Sequence, residues 1–141
     1  MRGAICVSKE WDRMMPMETS SRAIAMLTAR IGLYEKTVPV SLSIPDLLAA
    51  ASETGFDFIE MSIDETEARL ARLAWGRAAR RALVDAMHDT AGPFGSICLS
   101  GQRKYPMGSA YQAVRARSME IMEGAIELAA DPGIRIVQIA G

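Results

Sequence analysis

The chain has 141 residues, half of them apolar, which is enough for one domain with a real core and argues against two. Its 16 basic and 17 acidic residues leave a formal charge of -1, so the overall field gives no reason to expect nucleic acid or an anionic membrane as a partner. No apolar run approaches the roughly 18 residues of a membrane-spanning helix and no secretory h-region is present, so a soluble, cytoplasmic protein is expected.

Residues 1–29 hold five methionines and one tryptophan but no clear strand, and read as a poorly defined N-terminal extension. The regular pattern begins at 30 and runs to 141. "RIGLYEK" is a first strand that meets the polar Tyr34, Glu35 and Lys36. In "SIPDLLAAASETGF", Ser43 is an N-cap with Asp46 three residues on, Pro45 sits in the first turn and Gly55 is placed to end a helix.

"FDFIEMSIDE" is a buried second strand that closes in acidic residues. The following "ETEARLARLAWGRAARRALVDAMHDT" has Ala79, Leu83 and Met87 on one helical face, and Gly76 divides it into a short turn and a longer helix. "GPFGSICLSGQRKYPMGS" supplies a third strand and a polar loop of Gln102, Arg103, Lys104 and Tyr105. A long helix carries Val114, Ile121, Met122, Ala125, Leu128 and Ala129 on one stripe and stops at Asp131-Pro132-Gly133. The closing "IRIVQIAG" reads as a fourth strand buried on both faces.

Strands starting at Arg30, Phe56, Phe94 and Ile134 alternate with helices at the spacing of right-handed βαβ units. The fold class is therefore α/β with parallel (β/α) units. Ligands of such sheets bind at the carboxyl ends of the strands, and there the sequence places Glu35, Glu60, Asp64, Arg103, Lys104 and Gln138. Arg103 and Lys104 beside glycine suit an anion or phosphate clamp, with a solvated basic loop as the plainer alternative. Glu60 interrupts an apolar strand, and a buried carboxylate needs a partner or a ligand, so it is the tentative catalytic residue.

Other motifs are missing. There is no GxGxxG after the first strand, no GxxxxGK[ST], no GxSxG and no HExxH. His88 falls near a helix C-terminus, where interaction with the helix dipole is the bland account. Cys6 and Cys98 have no metal spacing, and Cys98 reads as a small core hydrophobe.

The segments "IGLYEK", "GFDFIEMSIDETEARLARLAW", "CLSGQRKYPMGS", "RSMEIMEGAIELA" and "GIRIVQIAG" resemble, in order, the start of the L-ribulose/L-xylulose 5-phosphate 3-epimerases, also called hexulose-6-phosphate isomerases. The resemblance spans 30–141 and implies the first half, about four strands, of a xylose-isomerase-like TIM barrel. It implies C3 epimerisation of a ketopentose phosphate, with substrate contacts at Tyr34, Glu35, Glu60, Ser62, Ser100, Arg103, Lys104 and Gln138. It also implies two acid/base carboxylates and a divalent metal for the complete enzyme; those groups, two Glu, one Asp and one His around the metal, come from later strands, so no metal ligand is assigned in this chain. Where relatives usually have a His before the basic pair, this chain has Gln102, which puts one substrate hydrogen bond in doubt.

The expectation is therefore a truncated N-terminal portion, inactive alone, acting on a small sugar phosphate. Two alternatives remain open: a non-catalytic half-barrel that forms a homodimer or pairs with a separate C-terminal half, and a complete small flavodoxin-type domain.

Overall fold

A computed structural model of the chain describes residues 29–139. Residues 1–28 of the expected extension and the last two residues lie outside them. The elements run β1 (Gly32–Tyr34), a 3-10 turn (Glu35–Thr37), α1 (Ile44–Glu53), β2 (Phe58–Ile63), α2 (Glu67–Leu70), a 3-10 turn (Ala71–Ala74), α3 (Arg77–Thr90), β3 (Phe94–Leu99), a 3-10 turn (Ser100–Arg103), α4 (Gln112–Ala130) and β4 (Ile136–Ile139). The four strands form one parallel sheet in sequence order, β1-β2-β3-β4.

Local chemistry sets the boundaries. Ser43 caps α1 by accepting from the Asp46 N–H at 3.3 Å, and its hydroxyl meets the Asp46 carboxylate at 2.5 Å. Gly76 separates the short turn from α3, as its position in the sequence predicts. The carbonyl end of α4 is held from across the fold: Arg80 donates to the Glu127 carbonyl at 2.9 Å and to Asp131 at 3.2 Å, placing a cation at a helix C-terminus.

Alternation along the strands divides the sheet into two faces. Ile59, Met61, Ile63, Ile97 and Leu99 are fully buried in one core with Leu48, Leu83, Ile121, Ala125 and Leu128 of the helices. The other face carries two rows of paired positions. One runs Tyr34, Glu60, Ser96, Ile136; the next runs Ser62, Cys98, Gln138.

Three expectations need correction. The first, second and fourth strands start at Gly32, Phe58 and Ile136, two residues later than Arg30, Phe56 and Ile134; at the first, the Ile31 N–H is taken by the Asp57 carboxylate at 2.6 Å. The fourth strand is not buried on both faces: Ile136 is 60% exposed and Ile139 50%. Among the described residues β4 has a neighbour on one side only, and Met119 and Ile126 of α4 are likewise exposed. Finally, Gln102 lies in the 3-10 turn after β3 and is buried, not part of an open polar loop.

The β2–β3 ladder contains an irregularity. Ile59 pairs with Phe94 and Glu60 with Ser96, so Gly95 is the extra residue of a bulge. The Phe58 ring fills the space beside Gly95 and also lies against Gly32 of β1. A Cβ at Gly95 would stand 2.6 Å from the Phe58 ring and 3.0 Å from its Cβ, which the backbone holds in place. Gly95→Ala is accordingly expected to destabilise the chain by about 1–3 kcal/mol in urea unfolding, with a smaller loss when Phe58 is first shortened to Leu.

Candidate functional site

Pairing of β1 with β2 ends at Tyr34 and Glu60, so no β1 residue lies beside Ser62. The Glu35 side chain takes that place: its Oε2 accepts the Ser62 N–H at 2.8 Å. The same carboxylate receives Arg72 through both guanidinium nitrogens, at 2.6 and 2.8 Å, and Arg69 at 2.8 Å. Both arginines also approach the Ser62 carbonyl, at 3.3 and 3.4 Å. The backbone end of β2 is thus satisfied by side chains where a longer β1 would have supplied peptide groups.

Asp64 extends the cluster. It pairs with Lys36 at 2.7 Å and with Arg69 Nε at 3.6 Å, and it accepts the Thr66 N–H at 2.9 Å and hydroxyl at 2.5 Å. Burial pushes the Glu35 carboxyl up, but its hydrogen bonds to Arg72 and Ser62 and the charges of Arg72 and Arg69 outweigh burial and hold it below its ordinary value. Burial opposes ionisation of Asp64 as well, yet Lys36 and Thr66 bring it down to about 2. The hydrogen bond to Asp64 raises Lys36 in turn. A cavity of about 620 Å³ borders this cluster, its lining including the charged Lys36, Asp64 and Arg69 and the apolar Val40, Leu42 and Ile44.

The face of the sheet turned away from the helices is chemically different. Tyr34, Glu60, Ser62 and Gln138 lie on it, joined by Ser96 and Cys98. The Ser96 hydroxyl donates to Glu60 Oε1 at 3.0 Å, and the Tyr34 hydroxyl reaches Cys98 Sγ at 3.9 Å. Ser100 follows at the end of β3. The Ser62 and Ser100 hydroxyls and the Gln102 amide nitrogen are buried with no protein partner among the described residues.

Of the residues expected to meet substrate, the structure therefore gathers Tyr34, Glu60, Ser62 and Gln138 on one face. Glu35 stands apart, because its carboxylate is committed to Arg69, Arg72 and the Ser62 peptide. Arg103 and Lys104 are exposed at the rim; Lys104 lies 5.6 Å from the centre of the Tyr105 ring and borders a second cavity with Glu65, Glu67 and Arg117. The sequence reading missed Arg69, Arg72 and Ser96. Arg69 and Arg72 do stand three apart, on one face of a helical turn.

The divalent metal implied by the resemblance finds no ligand set here: among the described residues, no three His, Cys, Asp or Glu side chains are grouped to hold an ion. Neither is any described helix long and apolar enough to cross a membrane.

Comparison with known proteins adds the following. The family described as "Xylose isomerase-like TIM barrel" matches residues 48–141. SgbU of Escherichia coli (strain K12), named as a candidate L-ribulose-5-phosphate 3-epimerase, is 50% identical over 116 residues, 82% of this chain and 41% of SgbU. L-ribulose-5-phosphate 3-epimerase UlaE of Salmonella paratyphi B (strain ATCC BAA-1250 / SPB7) is 50% identical over 111 residues, 79% of this chain and 39% of UlaE. The chain thus spans about two-fifths of the length of these curated relatives. Among solved structures, a crystal structure of D-psicose 3-epimerase in the presence of D-fructose superposes with a TM-score of 0.65 at 17% identity, covering 79% of this chain and 37% of that one.

Glu35→Gln leaves two largely buried guanidinium groups without their carboxylate and is expected to cost about 3 kcal/mol in urea unfolding. Glu35 and Asp64 titrate lower in the folded chain than in the unfolded one, so their contribution is complete above the ordinary carboxylate range and is lost as pH falls through the folded values. The urea midpoint should therefore decline from about pH 5 towards about pH 2, and Asp64→Asn should remove part of that decline.

Proposed function

The chain belongs to the xylose isomerase-like TIM barrel family, and on that footing we propose that residues 30–141 carry the sugar-phosphate end of an enzyme that inverts C3 of L-ribulose 5-phosphate or L-xylulose 5-phosphate. The observation that carries this reading is 50% identity, over most of this chain, to proteins named as L-ribulose-5-phosphate 3-epimerases. The sheet register supports it by placing Tyr34, Glu60, Ser62 and Gln138 on one face, turned away from the helices.

Inversion at C3 removes a proton next to the C2 carbonyl and returns one on the opposite side, which requires groups that exchange protons from both faces. The resemblance draws both of those groups from later strands, which leaves Glu60, Tyr34, Ser62, Ser100 and Gln138 to offer hydrogen bonds to the sugar hydroxyls, and Arg103 and Lys104 the charge for its phosphate. Glu35 acts one step removed, by fixing the backbone from which Ser62 projects. The proton-transfer groups and the ligands of the implied divalent metal are not assigned to this chain, and no step is routed through them. The 141 residues are thus proposed to bind the substrate without turning it over. A cytoplasmic setting belongs to the same reading.

A second reading rests on apolar residues exposed at the last unit: Met119 and Ile126 of α4 and, along the β4 edge, Ile139 on the helix side of the sheet and Ile136 on its other face. Gly124 of α4 packs on Leu73 toward the preceding unit, and Met119 and Ile126 lie on the opposite flank of that helix. This is where a further β/α unit would seat, so the chain is proposed to assemble through it, with a second copy or a separate polypeptide.

Calorimetry with L-ribulose 5-phosphate tests the first reading. Replacing Arg103 and Lys104 together with Ala should weaken the phosphorylated sugar by about tenfold or more while leaving unphosphorylated L-ribulose unchanged. Equal losses for both sugars would refute the phosphate role, and exchange of the C3 hydrogen into deuterated solvent, catalysed by the 141-residue chain, would refute its inactivity. For the second reading, the mass from light scattering should rise with concentration and fall back to the monomer in Ile136→Lys.

A further inference from the structure

Among the described residues, the carboxylates drawn out of water fall into two kinds. Glu35 and Asp64 are buried and each is paired with two cationic side chains. Glu60 is half-buried on the face turned away from the helices and has no cation beside it among the described residues; its one side-chain partner is the Ser96 hydroxyl, at 3.0 Å. A carboxylate taken partly out of water normally acquires a cation or moves to the surface. A neutral donor fixes the direction of the carboxylate and leaves its second oxygen free to accept from a hydroxyl-bearing ligand.

The backbone is shaped to make this contact. The ladder skips Gly95, so Glu60 pairs with Ser96; without the bulge its neighbour on β3 would be Gly95, which has no side chain to offer. Phe58 packs where a Gly95 side chain would stand. Bulges recur beside active sites, where they re-aim a side chain. Here the bulge brings a buried hydroxyl opposite a carboxylate.

We propose that Ser96 is the positioning residue of Glu60, holding its carboxylate in the direction needed to meet the sugar. This rests on the epimerase reading above for the identity of the ligand, but not for the contact itself.

Two readouts on the 141-residue chain separate the two claims. The first is the side-chain carboxyl carbon resonance of Glu60, identified by its loss in Glu60→Gln. It should move in Ser96→Ala and return in Ser96→Thr, which restores the hydroxyl. The second is affinity for L-ribulose 5-phosphate, expected to fall about tenfold in Ser96→Ala and to stay within about twofold in Ser96→Thr. An unmoved Glu60 resonance in Ser96→Ala would overturn the proposal, as would a threonine variant that binds as poorly as the alanine one while keeping a native amide spectrum. If the resonance moves and returns but no variant, nor the parent chain, binds the sugar phosphate, the positioning contact stands and the epimerase reading falls.

Discussion

The carboxyl end of the sheet depends on one carboxylate. β1 is three residues long and ends before β2 does, which would leave the Ser62 N–H without a ladder partner in the interior. Glu35 supplies the acceptor, and Arg69 and Arg72 bring donors to the same carboxylate and to the Ser62 carbonyl. Charge-assisted hydrogen bonds of this kind outweigh the penalty of burying the ion, which is why Glu35 stays ionised despite its surroundings. Since Ser62 stands between Glu60 and Asp64, fixing its peptide also fixes the directions in which those two acids leave the strand.

That arrangement keeps the paired ions apart from Glu60. The paired ions lie beyond the strand ends, where the first 3-10 turn meets α2, and they saturate one another. Glu60 lies within the sheet, among hydroxyls, a thiol and an amide on the face turned away from the helices. The apolar side of the sheet takes no part in this division; Ile59, Met61, Ile97 and Leu99 hold the strands against the helices.

The order of strands and helices, the Ser43 cap and the break at Gly76 were legible in the sequence because each depends on neighbours a few residues away. The family was legible because the matching segments are long and ordered. Contacts across the fold were not. Nothing local places Arg72 on Glu35, 37 residues back, or shows that a glycine in the third strand will shift the register and bring Ser96 to Glu60. The fourth strand misled for the same reason: β-branched residues record a preference for a pleated, packed surface, whereas exposure of Ile136 depends on which strand lies next to it.

The sheet order follows the chain order, so among the described residues each strand after β1 pairs with the one before it. Each of these βα units emerging from the ribosome finds its partner already made, and none of these three pairings waits for a later segment to come back across the fold. Such neighbour-only pairing keeps loop closures short and favours growth of the sheet from the amino-terminal end. At every stage of synthesis the newest strand is the sticky one, and β4 with Ile136 and Ile139 is what that growing edge looks like.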